Sequence, residues 1–246
     1  MYIKIWILCL SVLLCVNANA LRGANDCEDP LSFRRAGDWL KFKVLVFSDL
    51  HYGENKTKDN MSRGFQERLL MLEAPVDLVI FNGDMSSNYA APWYCRTPHD
   101  EKQQDNKKDD AGKRKSRINN PITRARCKEW WLKRWEEYTR PVKAHKIPYA
   151  LNLGNHDVLE VIDSSGREQM LLDMHTPCSR SAVGPQKISR TSNYFLPIYD
   201  PGPVSLRDTP RAGVWILDSG SNSCLGAHGW GCVLPDQVAC CKLGLY

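Results

Sequence analysis

Downstream of residue 40 the chain alternates short apolar runs with amphipathic stretches. Phe42 to Ser48 is a β-rich apolar run, and Asp77 to Asn82 is a second one that stops at Gly83. Between them Arg63 to Leu72 carries apolar residues at helical spacing, so the three segments predict a βαβ unit. Trp131, Trp135, Tyr138 and Val142 recur at spacings of four, three and four, which predicts one buried helical face. Pro148 to Leu153 predicts a third buried strand, and Tyr194 to Ile198 and Gly213 to Leu217 predict two more. Strands alternating with helices imply an α/β fold with parallel pairing.

The N-terminus follows a different pattern. Lys4 precedes the apolar stretch Ile5 to Val16, and Ala18-Asn19-Ala20 offers a small-x-small cleavage site, so residues 1–20 predict a secretory signal peptide. The apolar run is shorter than the about 20 residues needed to span a bilayer, so no membrane anchor is expected after cleavage. The mature chain, 21–246, is expected to be secreted or to lie in the secretory lumen. Of ten cysteines, Cys9 and Cys15 leave with the signal, and the remaining eight in an oxidising compartment predict disulfides. No Cys-x-x-Cys pair suggests a zinc cluster. Eight cysteines allow 105 pairings; one between Cys95 and Cys127 would close a polar loop and contribute about 3 to 4 kcal/mol. Asn55 and Asn60 head Asn-x-Ser/Thr triplets and are candidate glycosylation sites.

The formal charge is +5. Much of the basic excess sits in a segment at about 96–128, where acidic runs mix with Lys113-Arg114-Lys115 and Arg124-Ala125-Arg126, and this predicts a solvated charged insertion. No aromatic residues interleave with these charges, which argues against a single-strand stacking platform, and no specific nucleic-acid partner is expected.

Candidate chemistry lies just past the predicted strands. Loops at the carboxyl ends of parallel strands gather at one edge of the sheet, so Asp49-Leu50-His51, Gly83-Asp84 and Gly154-Asn155-His156-Asp157 are expected to converge there. Asp49 and His51 are two residues apart, and an extended backbone would point both at one ion. Asp84 is placed to bridge two ions about 3.5 to 4 Å apart, with Asn155 ligating the second, an arrangement suited to in-line attack at phosphorus. His156, beside the second ligand, would protonate the leaving oxygen or stabilise developing charge.

These motifs, in this order, resemble the first three signatures of the calcineurin-like metallophosphoesterase superfamily. Phe47-Ser48-Asp49-Leu50-His51-Tyr52-Gly53 and the later Leu217-Asp218-Ser219-Gly220, Gly229-Trp230 and Pro235-Asp236-Gln237 resemble its secreted, purple acid phosphatase-related branch. The resemblance implies a β-sandwich of mixed sheets flanked by helices, hydrolysis of a phosphate ester substrate, and two metal ions drawn from iron, manganese or zinc. In the purple branch a tyrosinate ligand stands three residues after the bridging Asp; here Ser87 stands there and Tyr89 is the nearest tyrosine, so a non-purple centre is expected. The family's later Gly-His and Gly-x-His-x-His-like elements are not present. After Asp157 the histidines are His175, in a predicted helix, and His228, in a Gly-rich loop, so the resemblance implies a fold incomplete at its C-terminus. Three readings stay open: a secreted phosphomonoesterase, a sphingomyelinase-like phosphodiesterase, and a catalytically silent secreted glycoprotein that keeps the fold.

Overall fold

In the computed structural model, residue 27 and residues 29–96, 120–203 and 209–243 are described. The predicted signal peptide and residues 97–119 of the charged insertion lie outside them.

A three-stranded parallel sheet organises the chain. Strand β3 (Val44–Phe47) pairs with β4 (Leu78–Asn82), Val44 opposite Leu78 and Phe47 opposite Phe81. On its other side β4 pairs with β5 (Tyr149–Asn152), Asn82 opposite Asn152. Four consecutive residues of β4, Leu78 to Phe81, are buried, as a central strand covered on both faces requires. The outer edge of β5 meets no further strand among the described residues. Its backbone is satisfied instead by the segment that follows: Tyr149 N donates to Cys178 O at 2.9 Å, Leu151 N to Ser181 Oγ at 2.9 Å and Leu153 N to Ser192 Oγ at 3.1 Å.

The helices carry the rest of the core. Helix α1 (Lys56–Leu72) starts earlier than its apolar periodicity predicts, because the Asn55 side chain accepts from Thr57 N and Lys58 N and caps a polar first turn. Helix α2 (Pro121–Ala144) begins inside the predicted insertion, capped by Asn120 with Pro121 in the first turn. Residues 121–128 therefore belong to a helix, and the insertion is shorter than its composition suggests. Composition misleads here because the charges of the first turns face solvent while Cys127 is fully buried and joined to Cys95. The aromatic stripe is core, with Trp131, Trp135, Tyr138 and Val142 all buried. Tyr138 packs edge-on against Phe81 of β4 at 5.3 Å between ring centroids. From α1, Gln66 accepts from Tyr52 Oη at 2.9 Å and donates to Tyr138 O, tying both helices to the strand ends that bear the candidate site.

Five shorter pieces complete the described fold. Hairpin β1 (Arg34–Ala36) and β2 (Trp39–Lys41) precedes the sheet, and α3 (Arg167–Met174) follows β5. The antiparallel pair β6 (Tyr194–Ile198) and β7 (Ala212–Ile216) matches the two later predicted strands. The hairpin β8 (Asn222–Cys224) and β9 (Ala227–Trp230) and helix α4 (Pro235–Leu243) end the chain. Pairing is thus parallel only in the central sheet, and the whole is a mixed α/β arrangement of several sheets flanked by helices. Besides Cys95–Cys127, disulfides join Cys27 to Cys178 and Cys224 to Cys232. Among the described residues no helix is long and apolar enough to cross a membrane.

Candidate metal centre

Three strand ends deliver His51, Asp84 and His156 to one place, but the backbone that does so is not extended. Asp49, His51 and Asp84 have φ of 57°, 48° and 54°, in the left-handed region. The expectation that Asp49 and His51 share one face of an extended segment is therefore overturned. The cause is pairing beyond the strands: Asp49 N donates to Gly83 O (3.1 Å), His51 N to Asp84 O (3.0 Å) and Tyr52 N to Met85 O (2.8 Å). To keep those bonds while the chain curls, alternate residues adopt a conformation costing about 1 kcal/mol or more each, which folded proteins retain mostly at working sites.

The outcome is a cluster. Potential ligand atoms of His51, Asp84 and His156 all lie within 4.8 Å of one another, and the two imidazole rings are 5.0 Å apart. Asp49 stands outside that trio, half of a pair in which Ser48 Oγ donates to its Oδ2 at 2.5 Å, and it lines an open cavity of about 500 Å³ with His51, Glu54 and Lys58. Asn155 lines a second cavity, of about 450 Å³, with Gly154 and Asn88. Asp84 touches the loop that carries Asn155, because a Cβ on Gly154 would overlap its carboxylate. His175 caps the end of α3 and is exposed; the side chain of His228 lies outside the described residues.

Each histidine of the cluster is held by a partner that the motifs did not single out. His51 Nδ1 lies 3.1 Å from Glu54 Oε1, and Ser87 Oγ donates to the same oxygen at 2.7 Å. Burial raises the Glu54 carboxyl, yet the Ser87 hydroxyl and His51 outweigh it and leave it below the usual carboxylate range. Ser87 is the position where the purple branch would have its tyrosinate; here it orients an acid that orients a histidine. His156 Nδ1 lies 3.1 Å from Asn88 Oδ1, Asn88 N donates to His156 O at 2.9 Å, and the Tyr89 ring packs on the imidazole at 4.7 Å. With Nδ1 of His51 facing the Glu54 carboxylate, Nε2 is the ring nitrogen suited to an ion. His156 N also donates to Asp84 Oδ1 at 2.8 Å.

Asp157, quoted in the motif but assigned no role from sequence, locks the β4 and β5 loops together. Its Oδ2 accepts from Asp84 N (2.7 Å) and Gly154 N (2.9 Å), and its Oδ1 from Ser86 N (2.8 Å) and Ser86 Oγ (3.2 Å). Burial pushes its carboxyl up to about 6 against the pull of those donors. The sequence signal for this residue was its adjacency to the motif; for Glu54, Ser87 and Asn88 there was none beyond nearness.

His51 and Asp84 pair an imidazole with a carboxylate, a mixed nitrogen and oxygen set that suits borderline divalent ions such as zinc, manganese or iron, and His156 lies beside them within 4.8 Å. Glu54 behind His51 supplies the outer carboxylate typical of metal-bound histidine. The donor set thus fits a metal centre. Comparison with curated proteins finds no match. The sequence profile of the calcineurin-like phosphoesterases matches residues 42–224, well over half of the chain, and the protein belongs to that family.

Proposed function

We propose that this protein hydrolyses phosphate esters at the edge of the β3-β4-β5 sheet, with two metal ions held by Asp49, His51, Asp84 and Asn155, and with His156 as the proton-transferring residue. The observation that carries this reading is the convergence of His51, Asp84 and His156 within 4.8 Å at three successive strand ends. Bound ions would supply Lewis acidity at the phosphoryl oxygens and an activated water nucleophile. The chain's own part is positional. Asp84 would serve both ions, Asp49 would add to the first set, and Asn155 would add to the second without adding charge. His156, oriented by Asn88 at Nδ1, would exchange a proton with the leaving oxygen.

Three disulfides support folding in an oxidising compartment, and with the predicted leader they favour secretion. Asn55 and Asn60 are both exposed, as N-glycosylation requires. The test is metal stoichiometry and phosphate release from an aryl phosphate, on the secreted protein beside Asp84→Ala. Two ions per chain and turnover abolished in the variant support the proposal. Turnover equal in both proteins, or a wild type that neither binds metal nor releases phosphate, refutes it.

A further inference from the structure

The second cavity contains a cation that the proposed chemistry does not use. Besides Gly154, Asn155 and Asn88 it is lined by Arg190, Ser221 and Asp218. Arg190 has φ of 72°, left-handed backbone that a residue with a Cβ adopts at a cost of about 1 kcal/mol or more. Its guanidinium lies across Gly220, itself at φ 71°, where an added Cβ would sit 2.7 Å from Nη1 and closer still to Cζ. Two left-handed backbone positions, one under each partner, therefore set this side chain on its platform.

The carboxylate of Asp218 does not neutralise it. Asp218 is buried, its Oδ2 accepts from Thr191 N, Ser192 N and Ser192 Oγ at 3.1 to 3.2 Å, and its Oδ1 accepts from Gly220 N at 2.8 Å. Asp218 thus fixes the two segments that carry Arg190 and Gly220, and its own lone pairs are committed. Among the described residues no hydrogen bond or ion pair occupies the Arg190 guanidinium. An arginine fork presented to a cavity beside a metal ligand matches the bidentate geometry of a phosphoryl group.

We infer that Arg190 forms a subsite for a second phosphoryl group of the substrate, so that the preferred class is a phosphate ester or anhydride bearing two phosphates, with one at the metal centre and the other on Arg190. This rests on the phosphoesterase reading above and extends it to substrate choice.

The experiment compares wild type, Arg190→Met, Arg190→Lys and Gly220→Ala, the last keeping the arginine but removing its platform. Two quantities are read: pyrophosphate binding by calorimetry, with and without manganese, and kcat/KM for a nucleoside diphosphate against an aryl phosphate. A charge-assisted bidentate contact is worth about 10- to 100-fold. Arg190→Met and Gly220→Ala are expected to lose that factor in pyrophosphate affinity and in kcat/KM on the diphosphate, with aryl phosphate turnover within about twofold. Arg190→Lys, a point charge without the fork, is expected to fall between. Equal losses on both substrates, or none on either, overturn the subsite and leave Arg190 a structural or merely solvated residue. Because pyrophosphate binding is read without turnover, a wild type that binds it through Arg190 but hydrolyses nothing sinks the phosphoesterase reading alone, whereas turnover with unchanged binding in Arg190→Met sinks the subsite alone.

Discussion

Gly154→Ala is the sharpest perturbation that the site offers. Gly154 starts the loop that carries Asn155 and His156, and it passes so close to Asp84 that an added Cβ would overlap Oδ1 and the backbone nitrogen and lie 2.9 Å from Cγ. Neither neighbour can swing away. The nitrogen is held by Asp157 Oδ2 at 2.7 Å, and Oδ1 accepts from His156 N at 2.8 Å. The loops must separate instead. Overpacking of this kind costs about 1 to 3 kcal/mol, and weakening a hydrogen bond to a charged acceptor adds about 1.5 kcal/mol, so unfolding stability should fall by about 3 kcal/mol. Separating the loops by about 1 Å should lower kcat on the order of 100-fold. Urea unfolding followed by tryptophan fluorescence reads the first figure, and phosphate release at saturating metal reads the second. Gly64→Ala is the control, since nothing lies within 4 Å of a Cβ there; it sits inside α1 and should gain about 0.5 to 1 kcal/mol. If Gly154→Ala unfolds within 0.5 kcal/mol of wild type, on the order of ordinary surface substitutions, and keeps its rate, the contact between the two loops is not as described.

Other regions give independent tests. Glu54→Ala removes the acceptor behind His51 and should weaken manganese binding, measured calorimetrically, by about 10- to 100-fold with little change in stability; unchanged affinity would mean that Glu54 does not orient the ring. Asp173 is buried and accepts from Trp135 Nε1 (2.7 Å), Tyr149 Oη (2.9 Å) and Ser179 Oγ (2.7 Å), so Asp173→Ala should cost about 3 kcal/mol in urea midpoint terms by removing an acceptor from three donors, of which Tyr149 Oη keeps Thr176 Oγ1. Opening the Cys95–Cys127 bridge with a double Cys→Ala variant should cost about 4 kcal/mol in the chain-entropy account, read as a lowered unfolding midpoint. Burial raises the Asp163 carboxyl, but Ser165 N, Glu168 N and the Ser165 hydroxyl outweigh it and hold it below the ordinary aspartate value. A depressed carboxyl contributes stability that is present above its unfolded value of about 3.9 and is lost as pH falls through the folded one. Asp163→Asn should therefore be less stable than wild type at pH 7, with the two converging as acid titration proceeds below pH 4; a gap independent of pH would contradict this.

Much of the site was readable because its determinants are local. Buried parallel strands such as Leu78–Phe81 must be apolar throughout, and the residue types that bind metals stand out when each follows such a run. The α2 stripe was equally plain, because a buried helical face leaves a 3.6-residue period whatever lies opposite it. That same logic failed at the helix starts. The first turns of α1 and α2 are polar and depend on the caps Asn55 and Asn120, so periodicity placed α1 late and composition assigned the start of α2 to a solvated insertion.

By itself the sequence determined the strand-helix alternation, the order of the metal-binding motifs and the residue types at each strand end, since these follow from burial and from coordination chemistry position by position. Only the tertiary structure decided which residues touch. The left-handed turns at Asp49, His51 and Asp84 arise from hydrogen bonds to a neighbouring strand more than thirty residues away along the chain, and they set Asp49 apart from the His51–Asp84–His156 cluster. The roles of Glu54, Ser87, Asn88, Asp157 and Arg190 belong to the same level: each depends on a partner brought close by packing, and no spacing along the chain encodes such a distance.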